Sequence, residues 1–291
     1  MIKRTLVLTF LSAILHFSEA SSNVLPVSAR QKMKPEEIVA KHLQSLGSPE
    51  ALDSARSRII TGTTTVTLRG GGYGQITGSA RFVSQGNKSL ISMIFGNIEY
   101  PYEKIGFDGT KLTVSQVKPG VRTIIGRYLL TNDELSKQGL VGGALATAWP
   151  LLNLSKSNIK LQYEGLKNVD NRQVHQLKCR PRNTDIGISL LFDPETFQHV
   201  GTQYKQTLSP PVGSNRPGET IGQDETRISI TEAFSDFRAE SGLNLPHRYQ
   251  LKLEILASKS SMYYEWMIEL TKFAFGEPIS ADEFNADSVK R

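Results

Sequence analysis

Thr61-Gly62-Thr63-Thr64-Thr65-Val66-Thr67-Leu68 is the stretch on which the fold turns. Four threonines at every second position alternate with glycine, threonine, valine and leucine. A period of two in β-branched residues suits a pleated strand, whose successive side chains point to opposite faces, and suits a helix poorly. The segment that precedes it has a different period. Pro35-Glu36-Glu37 makes an acidic first turn, Ile38, Val39, His42, Leu43 and Leu46 recur at helical spacing, and Gly47 closes the run. A second short turn starts at Ser48-Pro49-Glu50, with Ala51, Leu52 and Ala55 on its apolar side.

Downstream, strand patterns repeat at short spacing over 75–83, 89–95 and 111–117, broken by Gln85-Gly86-Asn87, Asp108-Gly109 and Lys118-Pro119-Gly120. Asp-Gly between extended runs is a hairpin signal because both residues tolerate positive φ. Further strands are expected at 158–163, 173–179, 187–193, 199–208, 227–237, 248–256 and 262–273, with Asp193-Pro194-Glu195-Thr196 as a turn. Strands that follow one another without intervening helices give a Rossmann-type order little support. They predict a mainly β (α+β) protein: a curled antiparallel sheet or half-barrel with an N-terminal helix and a helical lid.

The lid is expected at about 131–154. Thr131-Asn132-Asp133-Glu134 can cap a helix, Leu135, Leu140, Leu145 and Trp149 continue at helix-compatible spacing, and Pro150 ends or kinks it. Leu145, Trp149, Leu151 and Leu152 form the candidate ligand-binding cluster, with ordinary core packing as the competing reading. Gly142 and Gly143 are the candidate hinge. Residues 209–225, rich in Pro, Gly and polar residues, are expected to form a long flexible loop.

Lys3-Arg4, an apolar run from Thr5 to Phe17 and Ser18-Glu19-Ala20 read as a secretory signal peptide cleaved after Ala20, since the run is too short to span a bilayer. Residues 21–33 then form a loose leader to a single domain over 34–291, periplasmic in location. No cysteine follows the apolar run, so no acylation of the mature chain is expected. The lone Cys179 excludes an internal disulfide and reads as a small buried residue rather than a reactive thiol. A formal net charge of +6 is spread among acidic residues. That disfavours nucleic acid and leaves peripheral attraction to an anionic membrane open.

No catalytic residue, cofactor or metal site emerges. The Gly70–Gly78 stretch lacks the Lys-Ser/Thr end of a phosphate loop, and no Gly-x-Ser-x-Gly elbow is present. His42, His175, His199 and His247 lack zinc spacing.

Pro35–Gly47, then Ser48-Pro49-Glu50-Ala51-Leu52, Thr61-Gly62-Thr63, Phe107-Asp108-Gly109 and the closing 279–284 segment with Asp282-Glu283-Phe284 together resemble the LolA/LolB superfamily of outer-membrane lipoprotein-sorting-like proteins. The likeness extends over most of the chain after residue 20, apart from 209–225, and no cargo-contacting residue transfers. It implies a half-barrel covered by helices and a non-enzymatic carrier or receptor for lipid or acylated lipoprotein cargo. Relatives of this fold also serve as envelope-stress sensors, so an assembly or stress factor working through an envelope protein partner, with 209–225 as its contact, is the alternative. A hydrolase with a dispersed site is a third.

Overall fold

The computed structural model describes residues 33–69, 73–209, 225–258 and 260–288. The expected signal peptide, all of the leader except Met33, and residues 210–224 of the expected loop lie outside these. Helix α1 (Pro35–Leu46) starts with proline, and its Glu37 carboxylate accepts the Lys34 backbone N–H at 3.0 Å, which satisfies a donor the helix itself cannot. Ile38, Val39, His42 and Leu46 make its buried stripe. Helix α2 (Pro49–Ser54) is capped by Ser48, whose hydroxyl accepts Ala51 N–H.

Among the described residues twelve strands make one antiparallel sheet, ordered β5-β4-β3-β2-β1-β12-β11-β10-β9-β8-β7-β6. β1 (Ser57–Arg69) contains the threonine-rich stretch and lies in the middle. β2 (Tyr73–Gln85), β3 (Lys88–Phe95), β4 (Tyr102–Phe107) and β5 (Leu112–Val114) meander outward to one edge. The chain then crosses the sheet and starts again at the other edge with β6 (Lys160–Val169). From there β7 (Arg172–Arg180), β8 (Gly187–Phe192), β9 (His199–Leu208), β10 (Thr226–Glu240), β11 (Leu243–Ala257) and β12 (Ser260–Phe275) meander inward. β12 closes the two wings by pairing with β1. β5 and β6 remain unpaired with each other, so the sheet is open, as the half-barrel reading requires.

The glycine of Thr61-Gly62-Thr63 has a physical reason. A register shift between Thr61 and Gly62 brings this backbone against β12, and a Cβ on Gly62 would overlap the Glu269 carbonyl. The closing segment is explained too. Phe284 packs with Val83 and Leu90, while Ala286 donates its N–H to Thr113 Oγ1 and its carbonyl accepts from Ser115, so it covers β2–β5.

The crossing segment departs from expectation in its limits and its make-up. Helix begins earlier, at α3 (Ile124–Thr131), because Thr123 Oγ1 accepts Gly126 N–H and caps it. Helix α4 (Glu134–Lys137) is a single turn. Two 3-10 segments, Gly143–Leu145 and Pro150–Lys156, follow. The helical spacing of Leu135, Leu140, Leu145 and Trp149 is therefore carried by several short turns and not by one helix. Gly142 at φ +85° and Gly143 at φ +50° break the helix between them. Pro150 opens a helical segment where the sequence suggested it would end one, a position at which its missing N–H costs nothing.

One apolar cluster joins both wings to this insert: Ile60, Phe82, Ile91 and Met93 from one side, Leu190, Tyr204, Ile230 and Leu253 from the other, and Leu135, Leu140, Leu145, Trp149 and Leu151 between them. Cys179 lies in the same cluster, 1% exposed, and burial pushes its thiol up to about 12, which makes it unreactive near neutrality. Among the described residues no helix is long and apolar enough to cross a membrane.

Candidate functional site

The insert lies on the inner face of the sheet, and two cavities of about 20 Å³ each remain beneath it. The first is walled by Ile91, Met93 and Ile105 of one wing, Ile230 and Leu251 of the other, and Ile125, Leu129, Leu135 and Val141 of the insert. Two residues with polar ends, Tyr204 and Glu232, complete its lining. The second lies under Gly142–Ala146, against Phe82, Leu90 and Phe107. Each has room for about one water molecule.

The candidate residues are distributed over this region unevenly. Leu145 and Gly142 line the second cavity. Trp149 and Leu151, 1% and 0% exposed, sit in the core. Leu152 is half-buried and lines an open groove with Arg56, Thr147 and Lys156. Gly143 sits where any side chain would meet the His199 ring and Phe234.

Polar ties fasten the insert along its length. At its start, Thr123 donates its hydroxyl to Glu103 Oε1 at 2.6 Å, and Tyr100 donates to Oε2 at 2.7 Å. Burial raises the Glu103 carboxyl to about 7, against the lowering effect of both hydroxyls. In the middle, Gly142 N–H donates to Glu232 Oε1 at 2.7 Å, and the Leu140 carbonyl accepts from Tyr204 at 2.9 Å. Arg58, at the start of β1, donates from Nε to the Ala55 carbonyl at 3.2 Å and from a guanidinium nitrogen to Ala144 O. Burial lowers its pKa to about 10. Thr147 donates N–H to Ser84 Oγ and its hydroxyl to Gly86 O.

At the far end, Trp149 Nε1–H donates to His42 Nε2 at 3.3 Å while its ring stacks on His199 at 4.6 Å. His42 Nδ1 faces the Phe197 carbonyl at 3.2 Å. A carbonyl can only accept and the indole can only donate, so His42 is neutral with its proton on Nδ1. Burial agrees, lowering it to about 4.

Sequence reasoning missed Glu103, Glu232, Tyr204, Tyr249 and Arg58. A signal was available for the two acids. Ile230, Glu232 and Phe234 share one strand parity, as do Glu103, Ile105 and Phe107, so each acid stands in an apolar row.

No protein-family model matches the chain, and no curated protein matches it. Solved structures do resemble it. A LolA superfamily protein from Nitrosomonas europaea superposes with a TM-score of 0.47 at 11% identity, over 88% of this chain and 99% of the other. A DUF1329 family protein from Desulfovibrio piger gives 0.43 at 9% identity, over 86% and 96%. A domain from Vibrio parahaemolyticus assigned to outer-membrane lipoprotein sorting gives 0.42 at 11% identity, over 86% and 97%. The curled, open antiparallel sheet read from the sequence is met by the twelve-stranded order of the described residues itself.

Proposed function

We propose that this chain is a periplasmic, non-enzymatic carrier or receptor that buries an acyl chain, from a lipid or an acylated protein, between the sheet and the insert. What supports this is the construction of the interior: an apolar face spanning both wings, closed by a segment held through breakable polar ties. Drug-sized ligand pockets have volumes of roughly 300–1,000 Å³. The 20 Å³ cavities beneath the insert are far smaller. Loading therefore requires the insert to lift, with Gly142 and Gly143 as the hinge and Leu145 among the residues that meet the chain. Trp149, Leu151 and Leu152 join the lining as the insert turns.

The magnitudes favour a long chain. Each buried methylene contributes about 0.8 kcal/mol, whereas each tie contributes about 1 kcal/mol net. Ten or so methylenes outweigh several ties, and the chain replaces against the sheet part of the apolar packing that the lifted insert gives up. The basic head, apolar run and Ser18-Glu19-Ala20 of the N-terminal segment support export to the periplasm.

Native mass spectrometry of the chain isolated gently from the periplasm tests the reading. A co-purifying phospholipid or acylated peptide is expected. A bare mass that stays bare after incubation with lipid would remove it.

A further inference from the structure

The Glu232 carboxyl is surrounded by groups whose contacts one arrangement of protons satisfies together. Its Oε1 accepts from Tyr249 Oη at 2.6 Å and from Gly142 N–H at 2.7 Å. Its Oε2 lies 2.7 Å from the Tyr204 hydroxyl, which also lies 2.9 Å from the Leu140 carbonyl. Thr202 hydrogen-bonds into the same pair. Tyr204 has one proton and the Leu140 carbonyl has none, so the tyrosine donates to Leu140 and needs a donor in turn. A proton on Oε2 supplies it, and every contact is then satisfied. Burial holds this carboxyl above the usual range, in agreement.

Seen from the insert, the cluster offers one donor, the Tyr204 O–H, and one acceptor, Glu232 Oε1. Leu140 C=O and Gly142 N–H occupy them, much as a ligand would. Tyr204 and Glu232 are also among the residues that line the first, apolar cavity, so an acyl chain lying there with the insert lifted would have its head at these two groups. Lifting the insert withdraws both of its backbone partners and leaves a donor and an acceptor unsatisfied in an apolar site, at about 1–3 kcal/mol for each.

We propose that the Glu232–Tyr204–Tyr249 cluster is the polar head site of the cavity and selects acyl ligands whose head carries an acceptor and a donor together, a primary amide or a carboxylic acid, over esters. The inference rests on the carrier reading. An ester carbonyl takes the Tyr204 proton and leaves Glu232 Oε1 without its second donor. An amide or acid repairs both, replacing the peptide groups that leave.

Displacement of a bound fluorescent fatty-acid probe from the purified chain, by dodecanamide or by methyl dodecanoate, tests it. The two compounds share chain length and neutrality and differ in the donor. The amide is expected to displace the probe at roughly tenfold lower concentration, the scale of one unmade hydrogen bond to a buried group. Glu232→Leu is expected to level the two, and Glu232→Gln, which keeps an acceptor and a donor, to restore the gap, with circular dichroism reporting the fold. Equal displacement by both compounds in the unaltered protein overturns the head site and leaves the carrier reading standing. Failure of the probe to bind at all removes both.

Discussion

The two ends of the insert are fastened by opposite chemistries that reach the same condition. At Thr123 the fastening group is an acid, Glu103, whose burial raises it to about 7. At Trp149 it is a base, His42, whose burial lowers it to about 4. Near pH 6 both are neutral, and both ties can form without a buried charge. The ends differ in what surrounds the tie. Trp149 stacks on His199, whose ring also meets Phe192 and Phe234, whereas Thr123 caps a short helix through a hydroxyl. The Trp149 tie is thus embedded in ring packing, and the Thr123 tie in a set of hydrogen bonds at the head of a helix whose Ile125 and Leu129 are buried.

The hardest blow to this comparison is Trp149→Ala. Removing a fully buried indole leaves a void, and the expected loss is about 3–5 kcal/mol in urea unfolding. Trp149→Phe keeps most of the packing and drops the bond to His42, so a loss of about 1–2 kcal/mol is expected. If the two substitutions cost the same, packing does not hold that end.

The pH dependence sharpens the contrast. His42 at about 4 in the folded chain against 6.5 unfolded means the unfolded state binds more protons between those values, so stability rises with pH from about 4 to 6.5. Glu103 at about 7 against 4.5 means the folded state binds more protons, so its contribution is full below 4.5 and is lost as pH rises toward 7. His199, lowered, adds to the first trend, and Glu232, raised, to the second. The opposed slopes give the unaltered protein a broad stability plateau across pH 4.5–6.5. His42→Gln should tilt it downward with rising pH and Glu103→Gln upward, each by about 1–3 kcal/mol across the window. Urea midpoints from pH 4 to 7.5 read both. Parallel profiles for the two variants would dissolve the distinction between the ends.

Legibility followed the same divide. β9 was readable to the residue, and the hairpin at Asp108-Gly109 was marked by a glycine that adopts φ +97°. Apolar periodicity suffices where a strand buries one face. β4 went unseen because its inward row begins with Glu103, and a charge at a core position erases the alternation that marks a strand. The start of the insert was missed for a related reason. Thr123-Ile124-Ile125 is β-branched and reads as extended chain, and only the tertiary contact of Thr123 with Glu103 and its cap on Gly126 make it a helix start. Of the candidate site, Leu145 and Gly142 reach a cavity, while the polar groups that would distinguish one ligand from another come from distant strands. Their meeting depends on register, which a one-dimensional pattern does not contain.

The smallest effect on stability is expected where the effect on opening should be clearest. Arg58 ties Ala55 to Ala144 across the seam between β1 and the insert, and no carboxylate among its described contacts balances its charge. Removing such a group relieves a desolvation penalty while it frees two carbonyls, so the terms oppose each other. Arg58→Met, which keeps much of the volume, should therefore change global unfolding by no more than about 1 kcal/mol. The tie itself is nevertheless gone. Hydrogen exchange of the Gly142 and Leu145 amides should accelerate relative to those of β11, because local opening no longer breaks the Arg58 bond. Acceleration spread evenly over insert and sheet would mean that Arg58 supports the whole fold. Acceleration confined to the insert would identify it as a fastening of the lid.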